Sequence, residues 1–587
     1  MARIFFILIA VVMLSLSSAA QTVDLEFSGD TVDEDVKSAV REALPEESKP
    51  KTALEARRQG RRATKAIKAR LNSIGHYDPK IDLGITSEEP PRAIVRVDPG
   101  PLFTIGEVDV TFRGSSPSEG EKLTLRSDLP VRAGKTAIPS SVIDAERWIV
   151  NYLREEGYPY AKVLERRVFG DREGETISVT YDTQAGPKVV FGETIFPTEG
   201  VVTKASYLRK LIPYEEGDIY SPDKLSAFNS RLSETRMFKV ARASLASSPT
   251  GLTDTGAEIR NIEVTLTERA RNTIALGGSY STSEGFGVNA EYTRRNLAGR
   301  GDTIVADLTV AELEQSLDVV WRRPNEFGYG RGLTISAGIG QETTDAYDRQ
   351  SATIGVGIEV IKSPQFTYSY GVQGEVAHEK DEFGERDLQI LSVYGDARID
   401  KTDSLLDPRS GWRANLRVEP SYTFGDSTNP FVLTVGQVSA YIPFDKDRRY
   451  VLAGRLKAGA TLGADIENLP VDTRFYSGGG GSVRGYAYQA IGPRADDGTP
   501  LGGTSVIEAS IEGRYAWRPN IGFVAFVDAG NVSTNQFSDF GDARLGAGLG
   551  VRYSTPAGPI RFDIATPLNP TDFDDPIQIY ISIGQAF

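Results

Sequence analysis

The chain has 587 residues, a net charge of −14 and no cysteine. The acidic balance argues against a general nucleic-acid binder, which needs a basic surface. Without cysteine the chain can form neither a disulfide nor a cysteine metal site. Because only His76 and His378 are present, a histidine-based catalytic triad or zinc site is disfavoured. We therefore expect a protein that is not an enzyme and that needs no metal or cofactor.

The first twenty residues have the pattern of a secretory signal peptide. Arg3 supplies a positive start, residues 4–14 are apolar, and Ser18, Ala19 and Ala20 offer small residues for cleavage. This apolar run is too short for a spanning helix. No later run reaches the length of about 18 apolar residues that a membrane helix needs. If the exported chain spans a membrane, we expect it to do so as a closed β-barrel.

An internal repeat occupies the first half of the chain. Residues 100–107, GPLFTIGE, match residues 186–193, GPKVVFGE, almost position for position. Three helical patterns each end shortly before an aromatic residue, at Tyr77, Tyr158 and Phe238. A period of about 80 residues indicates an array of domains. We predict three α+β units, each with the order strand, helix, helix, strand, strand.

From about residue 271 the hydrophobic period changes to two. In Trp412–Glu419 the even positions are apolar and the odd positions are charged or polar. The predicted last strand carries one apolar face, formed by Ile577, Ile579, Ile581, Ile583 and Phe587. At about ten residues per strand plus turns, residues 270–587 accommodate about 16 strands. The second half is therefore predicted to be a 16-stranded antiparallel transmembrane β-barrel.

One loop of the predicted barrel carries an arginine behind the four glycines 478–481. A charge among membrane strands is costly unless it points into a protein interior and meets an opposite charge. Asp528 lies in an apolar strand and points inward by alternation, and Glu508 is the second candidate partner. We expect Arg484 to enter the lumen and to pair with Asp528. The complete loop motif is Val483, Arg484, Gly485 and Tyr486.

A row of glycines follows in the next strand. Alternation points Leu545 and Leu549 outward, which leaves Gly546, Gly548 and Gly550 inward. Because glycine has no side chain, the row is expected to clear space along the lumen wall for an inserted loop.

The VRGY motif, the repeated units, residues 296–301 (NLAGRG) and the C-terminal aromatic residue together resemble the BamA/TamA outer-membrane assembly superfamily. The repeats resemble POTRA domains, the periplasmic modules of that family. The resemblance implies a signal peptide at 1–20, POTRA domains at 21–100, 101–186 and 187–269, and a barrel at 270–587. Three POTRA units fit the TamA type within the superfamily. Ile581, Ile583 and Phe587 resemble the C-terminal recognition signal of outer-membrane barrels.

The resemblance also implies a function in the outer membrane of a Gram-negative bacterium. The protein would help to insert or secrete autotransporter-type β-barrel clients among outer-membrane lipids, together with an inner-membrane-anchored TamB-type partner. A weak seam between the first and last strands, with Gly277, Gly278 and Gly584, would part sideways because glycine weakens strand pairing. Two alternatives remain open: a pore that exports one dedicated substrate, and an outlet for phospholipid transport to the outer membrane.

Overall fold

The structure is a computed structural model that describes residues 23–28, 32–45, 47–555, 558–583, 585 and 587. The predicted signal peptide at 1–20 lies outside these residues. Within the described ranges, no helix is both long and apolar enough to cross a membrane. Phe196–Ile212, Arg231–Arg242 and Thr265–Phe587 form one compact unit, and the remaining segments form another.

The first sheet has strand order β1-β3-β2, with β1 parallel to β3. Thr52 caps the longer helix by accepting a hydrogen bond from the backbone N–H of Glu55, and Ile67 and Leu71 of that helix are fully buried against the sheet. The elements are β1 (Val23–Phe27), α1 (Glu34–Glu42), α2 (Ala53–Ser73), β2 (Lys80–Ile85) and β3 (Ala93–Asp98).

The second sheet repeats this arrangement with strand order β4-β6-β5. Ser118 and Glu121 form a reciprocal capping box at the start of its first helix, which satisfies two backbone donors. The elements are β4 (Thr104–Phe112), α3 (Glu119–Asp128), α4 (Pro139–Glu155), β5 (Lys162–Asp171) and β6 (Thr176–Gln184).

The third sheet has strand order β7-β10-β8, and the short strand β9 pairs with β10. Apart from β9, all three segments follow the order strand, helix, helix, strand, strand that the repeat predicts. The elements are β7 (Val189–Ile195), α5 (Ala205–Arg209), α6 (Pro222–Glu234), β8 (Phe238–Leu245), β9 (Gly251–Leu252) and β10 (Glu258–Glu268).

In the described part of the chain, sixteen strands form one closed barrel in sequence order, each antiparallel to its neighbours, as predicted. The strands are β11 (Asn272–Ser281), β12 (Gly285–Arg295), β13 (Thr303–Ala311), β14 (Glu314–Arg323), β15 (Arg331–Thr343), β16 (Tyr347–Ser363), β17 (Phe366–Asp381), β18 (Gly384–Asp400), β19 (Gly411–Gly425), β20 (Pro430–Pro443), β21 (Tyr450–Leu462), β22 (Ser505–Arg518), β23 (Ile521–Ser533), β24 (Arg544–Thr555), β25 (Gly558–Pro567) and β26 (Gln578–Ile583).

Alternation of side chains along the strands separates an apolar outer wall from a charged lumen. On β23, Val527 is 49% exposed whereas Asp528 is 1% exposed. On β24, Leu549 is 69% exposed and points away from the lumen. An outward apolar face and a polar interior are what a barrel in lipid requires.

The prediction that Phe587 shares one face with the isoleucines of the last strand is wrong. Ile581 and Ile583 are exposed, but Phe587 is buried with Tyr441 inside the barrel, and the Arg514 guanidinium lies 5.3 Å from its ring centroid. Alternation of faces holds only within a strand, and β26 ends at Ile583.

Candidate functional site

The connection between β21 and β22, residues 463–504, folds into the barrel lumen and carries the VRGY motif. Val483, Arg484 and Tyr486 are at most 1% exposed. Gly485 has a φ of +103°, and a Cβ there would lie 2.8 Å from the carbonyl carbon of Thr566. Only glycine combines this backbone conformation with so close an approach to the wall.

Arg484 forms a dense set of contacts with the lumen wall. Its Nε lies 2.7 Å from Oδ2 of Asp528 and its Nη2 lies 2.9 Å from Oδ1, so the two groups pair bidentately. The backbone N–H of Arg484 also donates to Oδ2 of Asp528, at 3.1 Å. Nη1 donates to Glu512 at 2.7 Å, and the guanidinium lies 3.4 Å from the centroid of the Phe526 ring. Bidentate, charge-assisted hydrogen bonds fix orientation as well as adding energy.

The Arg484 pair belongs to a larger buried network that balances positive and negative groups. Asp563 accepts from Arg484 at 3.3 Å and pairs with Arg552. Glu512 pairs with Arg514 at 2.8 Å. The carboxylates are completely buried, so removing Arg484 leaves buried negative charge with fewer positive partners.

Glu508, the other candidate partner, does not contact Arg484. It accepts a 2.6 Å hydrogen bond from the Ser482 hydroxyl and lies 3.3 Å from Nη2 of Arg455. Arg455 in turn donates to the carbonyl oxygens of Gly481 and Ser482, at 2.7 and 3.0 Å. Glu508 therefore holds the turn that precedes the motif rather than the arginine itself.

The three glycines of β24 face the lumen, but only one of them lies under the loop. A Cβ on Gly546 would overlap the carbonyl oxygen of Arg484. A Cβ on Gly548 would overlap the Phe526 ring, and one on Gly550 would overlap the carboxylate of Asp563. The row thus makes room both for the loop and for the groups that hold it.

Sequence reasoning missed several members of this site. Glu512, Asp563 and Phe526 all lie on inward positions of barrel strands, which alternation alone could have identified. Tyr580 was missed as a contact: the backbone N–H of Gly485 donates to its hydroxyl oxygen at 3.1 Å. The Tyr580 hydroxyl donates in turn to the carbonyl of Tyr486, so the last strand also holds the loop.

The barrel closes through a short seam between β11 and β26. The paired residues are Tyr280 with Ile581 and Ser281 with Tyr580, and the backbone N–H of Thr282 donates to the carbonyl of Ile579 at 3.1 Å. On its other side β11 pairs with β12 from Asn272 to Ser281. Within the described residues, positions 272–279 of β11 therefore have no partner on β26. Gly277 and Gly278 lie in this stretch without a β26 partner, although both pair with β12, and Gly584 lies outside the described residues.

A closed sixteen-stranded barrel with an apolar outer wall, preceded by small α/β domains, defines a β-barrel protein of the bacterial outer membrane. Two family models match the chain: the Omp85 superfamily domain over residues 296–587, and POTRA domain TamA domain 1 over residues 25–99. The chain therefore carries an Omp85 superfamily domain and a POTRA domain of the TamA type. It resides in the outer membrane of a Gram-negative bacterium with its POTRA region in the periplasm.

Proteins named outer membrane protein assembly factor BamA are similar to the chain in sequence. The chain is 25% identical over 529 residues to outer membrane protein assembly factor BamA of Nitratidesulfovibrio vulgaris, an alignment that covers 86% of this chain and 65% of the relative. The protein of the same name from Neisseria meningitidis serogroup B is 21% identical, with coverages of 87% and 71%. The chain thus spans about two thirds of the length of these relatives.

The crystal structure of BamA from Haemophilus ducreyi lacking POTRA domains 1–3 has the same fold. It superposes with a TM-score of 0.65 at 20% identity, and covers 82% of this chain and 100% of that one.

Proposed function

We propose that the protein assembles β-barrel proteins in the outer membrane by pairing an incoming client strand with the edge of β11 that has no β26 partner among the described residues. The observation that carries this proposal is the seam: β26 pairs with β11 at Tyr280 and Ser281, whereas β12 pairs along the whole of β11. An unpaired strand edge is a template for another strand. In lipid every backbone polar group needs a partner, so a client strand that occupies the edge is stabilised there.

The proposed role is of the TamA type. The TamA domain 1 match at residues 25–99 and the three successive small sheets support three POTRA domains, bounded at about 21–100, 101–186 and 187–269. On this basis the clients are autotransporter-type barrels and the partner is an inner-membrane-anchored protein of the TamB type. The work is done by strand exchange and local thinning of the membrane, without catalysis, nucleotide or cofactor.

Reconstitution tests this proposal. The full-length protein is placed in liposomes, a urea-unfolded autotransporter β-domain is added, and its folding is followed by protease protection. We expect faster folding than in matched liposomes that contain an unrelated 16-stranded porin. Equal rates in the two preparations would contradict the proposal. Transport of a soluble substrate into the lumen of the liposomes, or transfer of labelled phospholipid, without faster folding would instead favour the secretion-pore or the lipid-outlet function.

A further inference from the structure

A second buried ion network holds the same loop at a different place. It fastens residues 463–477, the first limb of the loop, which contains two short 3-10 turns at Ile466–Asn468 and Val471–Thr473. We call this network the limb anchor, and the Arg484 network with Asp528, Glu512 and Asp563 the hook anchor. The limb anchor comprises Asp472 and Arg474 of the loop, Arg349 of β16, Glu375, Glu379 and Asp381 of β17, and Arg386 of β18.

Two ion pairs cross from the limb to the wall. Asp472 lies 2.9 Å from Nη2 of Arg349, which also pairs with two glutamates of β17. Arg474 lies 2.6 Å from Asp381. The side chains of Arg474 and Asp381 are 1% and 2% exposed, so the second pair is buried. Removing one partner of a buried pair such as Arg474–Asp381 strongly destabilises the folded protein.

Backbone hydrogen bonds and apolar contacts support the same attachment. The backbone N–H of Val471 donates to the completely buried Glu379 at 3.2 Å, and Arg386 donates to the carbonyl of Glu467 at 2.5 Å. Leu469 is fully buried in a cluster with Leu388. The limb is therefore seated on β17 and β18 by packing as well as by charge.

The two anchors use different parts of the barrel ring. The hook anchor uses acids on β22, β23 and β25, whereas the limb anchor uses β16, β17 and β18. Strands β19, β20 and β21 separate these two groups. No ion pair joins a member of one anchor to a member of the other among the described residues. These two anchors thus share no group, and they act on the loop in addition to the Glu508 and Arg455 contacts at the turn before the motif.

We propose that Asp472 and Arg474 are positioning residues of an independent second anchor, which keeps the lumen filled when Arg484 is released from Asp528. A 16-stranded barrel with nothing inside leaves an aqueous channel. A loop held by the hook anchor alone would leave the lumen whenever the ion pairs of that anchor separated. The limb anchor lets the hook anchor and the neighbouring seam rearrange without opening a leak across the outer membrane.

Conductance of the purified full-length protein in planar lipid bilayers tests this inference, and it requires no client. Three variants are compared: Arg484→Met, the pair Asp472→Asn with Arg474→Met, and all three substitutions together. We expect the first two to conduct like the unchanged protein, since one anchor survives in each. The triple variant is expected to conduct severalfold more. Arg398→Met, which removes an exposed ion pair with Asp400, is the matched control.

Three outcomes would overturn the inference. The first is Arg484→Met alone conducting as much as the triple variant, which would mean that the hook is the sole attachment. The second is a triple variant that folds, as judged by its heat-modifiable gel mobility, but conducts no more than the parent. Because the chain has no native cysteine, Leu469→Cys and Leu388→Cys can be added to the triple variant so that a disulfide attaches the limb to β18. Oxidation of that pair is expected to return the conductance to the parental level, and continued high conductance would also refute the second anchor.

Discussion

Arg484→Met is expected to destabilise the barrel by about 3–5 kcal/mol and to abolish most client assembly. The reason is that it removes a positive partner from buried carboxylates. Asp528 would lose two side-chain donors at once, and Glu512 would lose its 2.7 Å contact. Methionine retains the apolar length of the side chain, so the effect isolates the lost charge. The measurement is the urea midpoint of the purified protein, together with the rate of client folding in liposomes.

The matched control for this prediction is Arg494→Met. Arg494 lies in the same loop, but it donates to the carbonyl oxygens of Gly498 and Ala490 rather than to an acid. Its replacement removes the same side chain and charge from the loop without leaving a buried carboxylate unpaired. Equal losses of stability in the two variants would refute the assignment of Arg484 as the residue that holds the loop at the hook anchor.

Gly546→Ala is the second substitution with a large expected effect. The new methyl group would overlap the carbonyl oxygen of Arg484, and backbone cannot yield as the end of a flexible side chain can. Overpacking of this kind costs about 1–3 kcal/mol, and here the strain falls on the loop. We expect the VRGY motif to leave its position in the lumen, with a loss of client assembly close to that of Arg484→Met.

Thiol labelling measures this displacement directly. With Ser482→Cys as a reporter beside the motif, Gly546→Ala is expected to raise the rate of maleimide labelling of the folded protein. Gly513→Ala on β22 is the matched control, because the nearest atom to its added methyl group is 4.0 Å away. Labelling that stays slow in Gly546→Ala and matches the control would show that the wall does not press on the loop there.

The barrel and the inward position of Asp528 could be predicted because both follow from a period of two, which the sequence displays directly. The same period wrongly placed Phe587 on the face of the isoleucines, since a face pattern stops where the strand stops, at Ile583. Which acid meets Arg484 was a different kind of question. Glu508 and Asp528 both point inward, and the choice between them depends on their height along the barrel and on the path of the loop.

The limb anchor was beyond sequence reasoning for a related reason. Asp472 and Arg474 lie in a loop with no hydrophobic period, and their partners are separated from them by about ninety residues or more along the chain. Only the closed ring brings β17 and β18 to the place where the loop descends. The length of the seam was equally hidden, because the sequence shows two strands at the ends of a barrel but not how far they pair.

A cross-link between β11 and β26 tests insertion through the seam most directly. Tyr280→Cys and Ile581→Cys are register partners across β11 and β26, in a chain with no other cysteine. The control pair is Val319→Cys with Ala337→Cys, partners on β14 and β15 within the wall. Client folding in liposomes is then measured with each pair oxidised and reduced. We predict that oxidation of the seam pair alone stops assembly and that reduction restores it. Unchanged assembly by a fully cross-linked seam would contradict insertion through β11 and β26.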